Sequence, residues 1–251
     1  MNTPMKIAIA TPFYDFHGWS PYIRSMIASA FFIGRYTQVD LDFWCLDGDA
    51  YVWRARNNIA KKFLESDYEW LMFIDSDEEF GAADMIKLWA HNVPIVGAGY
   101  PCKNNWDFYG CIIHTHPDGR PIVRPDGLIE ARIVPTGFMK IHRSVFETLA
   151  EKFPDDYYIG TTPNNPEPVK TMNFFGHLLE EHAPLGEDTS FCIRCERAGI
   201  ELLVEPDITI THWGNKGWKG NYHEALLSYP GGSNSENPSI PQINQGGVDH
   251  G

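Results

Sequence analysis

Three groups of side chains in this chain have the types and spacing that chemistry needs. Asp75-Ser76-Asp77 directly follows the apolar run Trp70 to Ile74. Extended residues two apart point to the same side, so both carboxylates can reach one ion or its waters. Carboxylates suit hard divalent cations, which keep positions open for phosphate oxygens. The plainer alternative is an acidic turn that caps the next helix. Glu187-Asp188 stands where a helical pattern begins. Acidic residues cap helices and meet the helix dipole there, and the same placement would hold an ionised Asp as a general base. His212 follows the short β pattern of Ile208 to Thr211 and precedes Trp213-Gly214-Asn215-Lys216-Gly217-Trp218. It is either a structural histidine or a neutral imidazole ligand for a divalent ion. Lys216 and Lys219, in a glycine-bearing loop, could neutralise a diphosphate.

Other candidates carry less. His114-Thr115-His116 has chelating spacing but abuts the turn Pro117-Asp118-Gly119, with nothing near it to complete a site. Cys192 and Cys195 form a lone C-x-x-C inside a helical pattern, whereas a structural zinc needs four ligands. The five cysteines have no disulfide-framework spacing and read as buried small hydrophobes of a reducing compartment. There is no phosphate-cradling P-loop, no G-x-G-x-x-G and no nucleophile elbow.

The elements that would position these residues alternate. Lys6 to Ala10 reads as a buried strand, Ser20-Pro21 as the cap and first position of a helix closed by Gly34, and Val39 to Cys45 as a second strand. A helix over about Tyr51 to Leu64, the strand Trp70 to Ile74, a helix over Ala82 to Ala90 and a strand over Pro94 to Ala98 follow. Such alternation predicts a mostly parallel sheet covered on both faces. The second half predicts a hairpin of Cys111 to His114 with Pro121 to Arg124, a strand over Leu128 to Val134 and a helix over Arg143 to Lys152. Tyr157 to Thr171 reads as a Pro/Asn-rich loop. Glu187 to Ala198 reads as a helix stopped by Gly199, and Leu202 to Thr211 as short strands. Residues 1–227 are expected to form one domain and 228–251, rich in Gly, Ser, Asn and Pro, a flexible tail or linker.

Bulk properties bound the function. The 251 residues carry 43% hydrophobic and 14% aromatic side chains, enough for a large core and for rings lining a cleft. A formal net charge of −13 argues against a broad phosphate-tracking surface. The first residues lack a signal-peptide pattern and no apolar run reaches the length of a membrane span, so the expectation is a soluble, cytoplasmic protein, in the host cytoplasm if viral.

In order, the segments KIAIATPFYD, RARNNIA, WLMFIDSDEEF, VPTGFMKIHRSVFE, LGEDTSFCIRCERAGIELLVEP and ITHWG resemble the GT-A glycosyltransferases, especially compact bacterial, phage and large-virus members. They span roughly residues 5–214. The resemblance implies an α/β fold of GT-A type: a Rossmann-like, mostly parallel central sheet flanked by helices, with a smaller antiparallel acceptor-side portion. It implies that Asp75 and Asp77, with His212, hold Mn²⁺ or Mg²⁺ against the diphosphate of a nucleotide-sugar donor. Asp188 then matches the base of inverting members, with Glu187 its neighbour, and Thr11, Pro12 and Tyr14 the turn that holds the nucleoside. Ser76 falls inside the D-x-D, Arg56 in a donor-facing segment, and Thr136 and Gly137 on the strand that approaches the donor sugar. Lys216 would face the diphosphate. Asp47-Gly48-Asp49 is only an approximate match to the family's acidic cluster after the second strand, which leaves UDP favoured over GDP or dTDP but not assigned. Expected acceptors are a glycan, a protein side chain or modified DNA, with Trp106, Phe108, Tyr109, Trp218 and the 157–171 segment shaping that side. Two other classes stay open: a sugar nucleotidyltransferase, for which TPFYDFHG is a poor phosphate loop, and a non-catalytic carbohydrate-binding protein.

Overall fold

The computed structural model of the chain describes residues 5–103, 105–162 and 165–228. The alternation opens it: β1 (Lys6–Phe13), α1 (Ser20–Tyr36), β2 (Asp40–Asp47), α2 (Val52–Glu65), β3 (Trp70–Ile74), a two-residue β4 (Glu78–Glu79), α3 (Ala82–Ala90) and β5 (Ile95–Ala98). Short pieces follow as β6 (Pro101–Cys102), β7 (Asn105–Tyr109), β8 (Ile112–Ile113) and β9 (Ile129–Ile133). Then β10 (Phe138–His142) and α4 (Arg143–Lys152) re-enter the core, and β11 (Tyr157–Thr162) and β12 (Asn165–Met172) form a ribbon outside it. The described part closes with β13 (Leu179–Glu180), β14 (Ala183–Pro184), α5 (Glu187–Ala198), β15 (Leu202–Glu205), β16 (Thr209–Trp213), β17 (Gly217–Asn221) and α6 (Tyr222–Ser228).

The central sheet has the order β2-β1-β3-β10-β5-β15-β9-β8. β1 lies parallel to β2 and β3, and β5 parallel to β15, while β10 and β9 run against their neighbours. Six of the eight strands therefore point one way, and the remaining small sheets are antiparallel where paired. This is the α/β architecture expected, a mostly one-directional sheet with helices on both faces and a smaller antiparallel portion. Successive residues of the apolar strands feed opposite cores: Ile7, Ile9, Met72 and Ile74 pack on the α1/α3 side, and Ala8, Ala10, Leu71 and Phe73 on the α2/α4/α5 side.

Several local expectations are corrected. Ser20 is the first helical residue rather than the cap, Trp19 at the cap position offers no side-chain bond, and α1 runs through Gly34 to Tyr36. The Ile33 carbonyl accepts both the N–H and the hydroxyl of Thr37, which ends the helix without glycine. The segment read as a loop is the β11–β12 ribbon. Its prolines are tolerated because each strand of a two-stranded ribbon keeps a free edge. α4, α5 and the closing Gly199, at φ 76°, stand where expected. The segment after Ser228 lies outside the described residues. No helix among the described residues is long and apolar enough to cross a membrane.

Candidate active site

β10 is the element that sequence periodicity missed, and it builds the site. Running against β3, it brings its start to the carboxyl end of that strand, with Phe138 opposite Ile74. The ladder continues one step further, the Asp75 N–H donating to Gly137 O at 2.9 Å. Thr136 and Gly137 are thereby set against the D-x-D. On the other side, β4 pairs with β16 so that His212 lies opposite Glu78 and Thr211 opposite Glu79. The Trp213 N–H donates to Asp77 O at 2.8 Å, which clamps the turn between two sheets. Ligand sites in open α/β sheets lie at this end of the strands.

The charges here are unevenly divided. The Arg56 guanidinium, 1% exposed, donates to Asp75 Oδ2 at 3.0 Å and stands 3.9 Å from Glu187 Oε1. It lies over the Phe73 ring, 5.2 Å from its centroid, and its Nε and Nη1 find no partner. Arg56 is thus a buried counter-charge to a group of carboxylates. Asp188 opens α5 beside Glu187, and its carboxylate accepts the Thr136 hydroxyl proton. The residue keeps partial exposure while its carboxyl is enclosed. Burial, and then the charge of Glu187, push its pKa up to about 7, against the opposing pull of Arg56 and Thr136.

His212 and Asp77 form the outer half of the site. His212 Nδ1 lies 3.1 Å from Pro101 O, which can only accept, so Nδ1 carries the proton and Nε2 presents its lone pair. Nε2 faces Asp77 Oδ1 at 3.8 Å, and the other Asp77 oxygen is held by the Lys103 ammonium. Burial, then the Lys103 charge, lower the imidazole pKa and keep it neutral. Among the described residues no three His, Cys, Asp or Glu side chains are grouped as a ready-made metal cage. The donor set nevertheless fits a divalent ion of the kind held by one or two carboxylates with phosphate oxygens: Asp75 Oδ1 is buried without a partner, and two lone-pair-bearing atoms, on His212 and Asp77, face one another.

A second feature was invisible in the sequence. A Cβ at Gly137 would lie 2.4 Å from Glu78 Oε1, 2.4 Å from the Tyr100 hydroxyl and 2.9 Å from Asp75 Oδ2. Glycine lets three polar groups converge on bare backbone. Glu78 is fully buried with neither oxygen in a hydrogen bond of good geometry, although Tyr100 lies alongside. Burial, reinforced by Asp75 and Asp77, holds its carboxyl well above the usual range. The pairing of β4 with β16 buries Glu78 and leaves Glu79 partly exposed.

The remaining expected residues are placed less favourably. The Thr11 hydroxyl is buried and shares a 2.7 Å bond with the Tyr22 hydroxyl. Pro12 and Tyr14 make no hydrogen bond or ion pair to the acidic group, and Tyr14 is exposed beyond β1. Ser76 contributes its carbonyl, which accepts the Trp19 N–H at 3.1 Å. Lys216 sits at the tip of the β16–β17 hairpin, its ammonium 4.0 Å from the Trp218 ring centroid. Asp49 is spent on Arg54, at 2.8–3.0 Å, and on the Tyr51 N–H. Tyr109 and Trp218, expected on the acceptor side, are buried, the former against Tyr222. The side chains of Trp106 and Phe108 lie outside the described residues. His114 and His116 decorate the surface hairpin, and Cys192 and Cys195 are buried, Cys192 against the Val134 backbone.

No family model matches the chain, and no curated protein does. Among solved structures it is similar to a mutant Drosophila β-1,4-galactosyltransferase 7 in complex with manganese, UDP-Gal and xylobiose, at 13% identity and TM-score 0.44 over 96% of this chain and 77% of that one. It is also similar to GalNAc-T7 with UDP, GalNAc and Mn²⁺, at 12% identity and TM-score 0.46 over 82% of this chain and 42% of that one. A third is a glycosyltransferase involved in glycosylation of the major capsid of PBCV-1, at 14% identity and TM-score 0.33 over 64% of this chain and 72% of that one. All three are glycosyltransferases, the class that the sequence resembles; at these scores and identities the overlap gives no residue a role.

Proposed function

We propose that the protein is a glycosyltransferase of GT-A type that moves a sugar from a nucleotide-diphosphate sugar, UDP favoured, onto an acceptor hydroxyl with inversion. One observation carries this reading: a D-x-D at the carboxyl end of β3 shares its site with an enclosed aspartate at the first turn of α5. Asp75, Asp77 and His212 are the residues that would hold Mn²⁺ or Mg²⁺, which when bound supplies positive charge for the departing diphosphate. Asp188, poised near neutrality, takes the acceptor hydroxyl proton as that oxygen bonds to the anomeric carbon and the bond to the diphosphate breaks. Thr136 fixes the direction of the Asp188 carboxylate, and Arg56 is the counter-charge to Asp75 and Glu187 beside it. Lys103, paired with Asp77, and Lys216, on the β16–β17 hairpin, would add positive charge for an anionic donor.

The test is donor hydrolysis. Purified protein is mixed with UDP-, GDP- and dTDP-sugars, with and without Mn²⁺, and free nucleoside diphosphate is measured. Metal-dependent release from one donor, lost in Asp77→Ala, is expected; absence of any nucleotide binding by calorimetry overturns the reading. Once an acceptor is in hand, Asp188→Asn should lower transfer by about 10²–10⁴-fold. Full activity in that variant, or a product that keeps the donor's anomeric configuration, removes Asp188 as the base.

A further inference from the structure

Glu78 is a buried carboxyl that the chemistry just described leaves without a task. Both of its oxygens are enclosed without a hydrogen bond of good geometry, beside the like charges of Asp75 and Asp77. Enclosing a carboxyl in such company is costly, and a fold that does so calls for a reason. What lies alongside it is the hydroxyl of Tyr100, a residue 7% exposed that follows the end of β5. Glu78 Oε1 and the Tyr100 hydroxyl each stand 2.4 Å from the point that a Cβ of Gly137 would occupy. The two oxygens converge there because the backbone is bare.

The ring of the same tyrosine reaches His212. It meets the imidazole edge to face, with centroids 5.1 Å apart and planes at 74°. The next residue, Pro101, supplies the carbonyl that fixes the imidazole proton on Nδ1. Lys103 then holds Asp77, its stem laid along Gly214, where a Cβ would stand 3.2 Å from the lysine Cδ. Residues 100–103 thus form a strap across the outer half of the site that grips both His212 and Asp77. Tyr100 ties this strap to the interior at Glu78, which follows Asp77 in the chain and is the cross-strand partner of His212.

We infer that Tyr100, anchored at Glu78, is the positioning residue of His212. It holds the imidazole so that Nε2 keeps its lone pair turned toward Asp77, a role that rests on the transferase reading, in which both side chains meet the ion. Tyr100 acts through His212 and touches no reacting atom. Its ring sets the face of the imidazole, and its hydroxyl sets the ring. Ordinary aromatic packing would account for the ring, but not for the enclosed carboxyl at its hydroxyl or the glycine that admits both. Removing an outer support of a metal-binding imidazole typically weakens the metal by about 10–100-fold.

The imidazole is read first, without metal or donor, from ¹⁵N spectra of histidine-labelled protein at about pH 8, where an ordinary imidazole is neutral. The His212 signals are those missing from His212→Ala. Wild type should show Nδ1 protonated and Nε2 bare. Tyr100→Phe, which keeps the ring and removes its anchor, should turn this into a mixture of tautomers. Glu78→Leu should reproduce the mixture, and Glu78→Gln, which keeps a carbonyl oxygen for the hydroxyl, the wild-type pattern. Mn²⁺ binding in the presence of UDP, followed by electron paramagnetic resonance, should weaken about tenfold or more in Tyr100→Phe. If Tyr100→Phe and Glu78→Leu lower the melting temperature yet leave tautomer and affinity unchanged, the pair is packing alone and the inference is overturned. A wild type that binds no Mn²⁺ even with UDP overturns the transferase reading instead, and the metal-free spectra then still decide whether Tyr100 sets the imidazole.

Discussion

Replacing Arg56 with Met removes the buried cation that faces Asp75, Glu187 and Asp188 while keeping the bulk of its stem. At 3.0 and 3.9 Å, with an effective dielectric of ~20, the two ion pairs are worth about 5.5 and about 4 kcal/mol of Coulomb attraction before desolvation is subtracted. Desolvation of the guanidinium offsets much of that, so the expected loss is the ~3–5 kcal/mol typical of stranding buried charges by removing one partner. Urea unfolding at constant m would read it, and Asp75→Asn in the same chain should restore part of it. The same substitution should move the pH profile. The base role proposed for Asp188 requires its deprotonated form, so kcat/KM should rise with pH through its pKa, pushed up to about 7. Arg56 is one of the influences that lower that pKa, and an opposite charge close by is worth one to three units. In Arg56→Met the acid limb should therefore shift upward by about a unit or more, leaving activity at pH 6 more depressed than activity at pH 8.5. A stability loss below about 1 kcal/mol with an unmoved limb would refute Arg56 as the charge that balances the site.

Gly137→Ala should collide with Glu78, Tyr100 and Asp75, costing about 1–3 kcal/mol and most donor turnover; an unchanged melting temperature and rate would show that the three groups yield freely. Lys140, in the middle of β10, is fully buried, its ammonium donating to Trp89 O at 3.1 Å and to His91 O, and burial lowers its pKa to about 8. Between roughly pH 8 and the ordinary value near 10.4 the unfolded chain holds a proton that the folded one lacks, so stability rises with pH through that window and is lost as pH falls, by up to about 3 kcal/mol. Lys140→Met should flatten the slope of unfolding free energy between pH 8 and 10, and parallel curves for the two proteins would contradict it.

What the sequence determined by itself is what short-range physics dictates. Trp70 to Ile74, apolar throughout and bounded by polar residues, reads as a strand buried on both faces, and Glu187 to Ala198 as a helix that Gly199 terminates. The D-x-D and the Glu187-Asp188 pair were legible as chemistry because they stand at the ends of such elements. The neutrality of His212, the burial of Glu78 and the role of Arg56 were not, since each depends on a neighbour distant in sequence: Pro101 for His212, β16 for Glu78, and Asp75 with Glu187 for Arg56. Periodicity missed β10 because Lys140 and His142 interrupt its apolar run, and Lys140 is accommodated in the core only because Trp89 and His91, at the end of α3, offer their carbonyls. Aromatic composition cannot tell a ring on a cleft wall from one in a core, and of the rings expected on the acceptor side Tyr109 and Trp218 are buried. Which strands become neighbours decides which charges share a low-dielectric site, and that is a property of the packed sheet rather than of any segment within it.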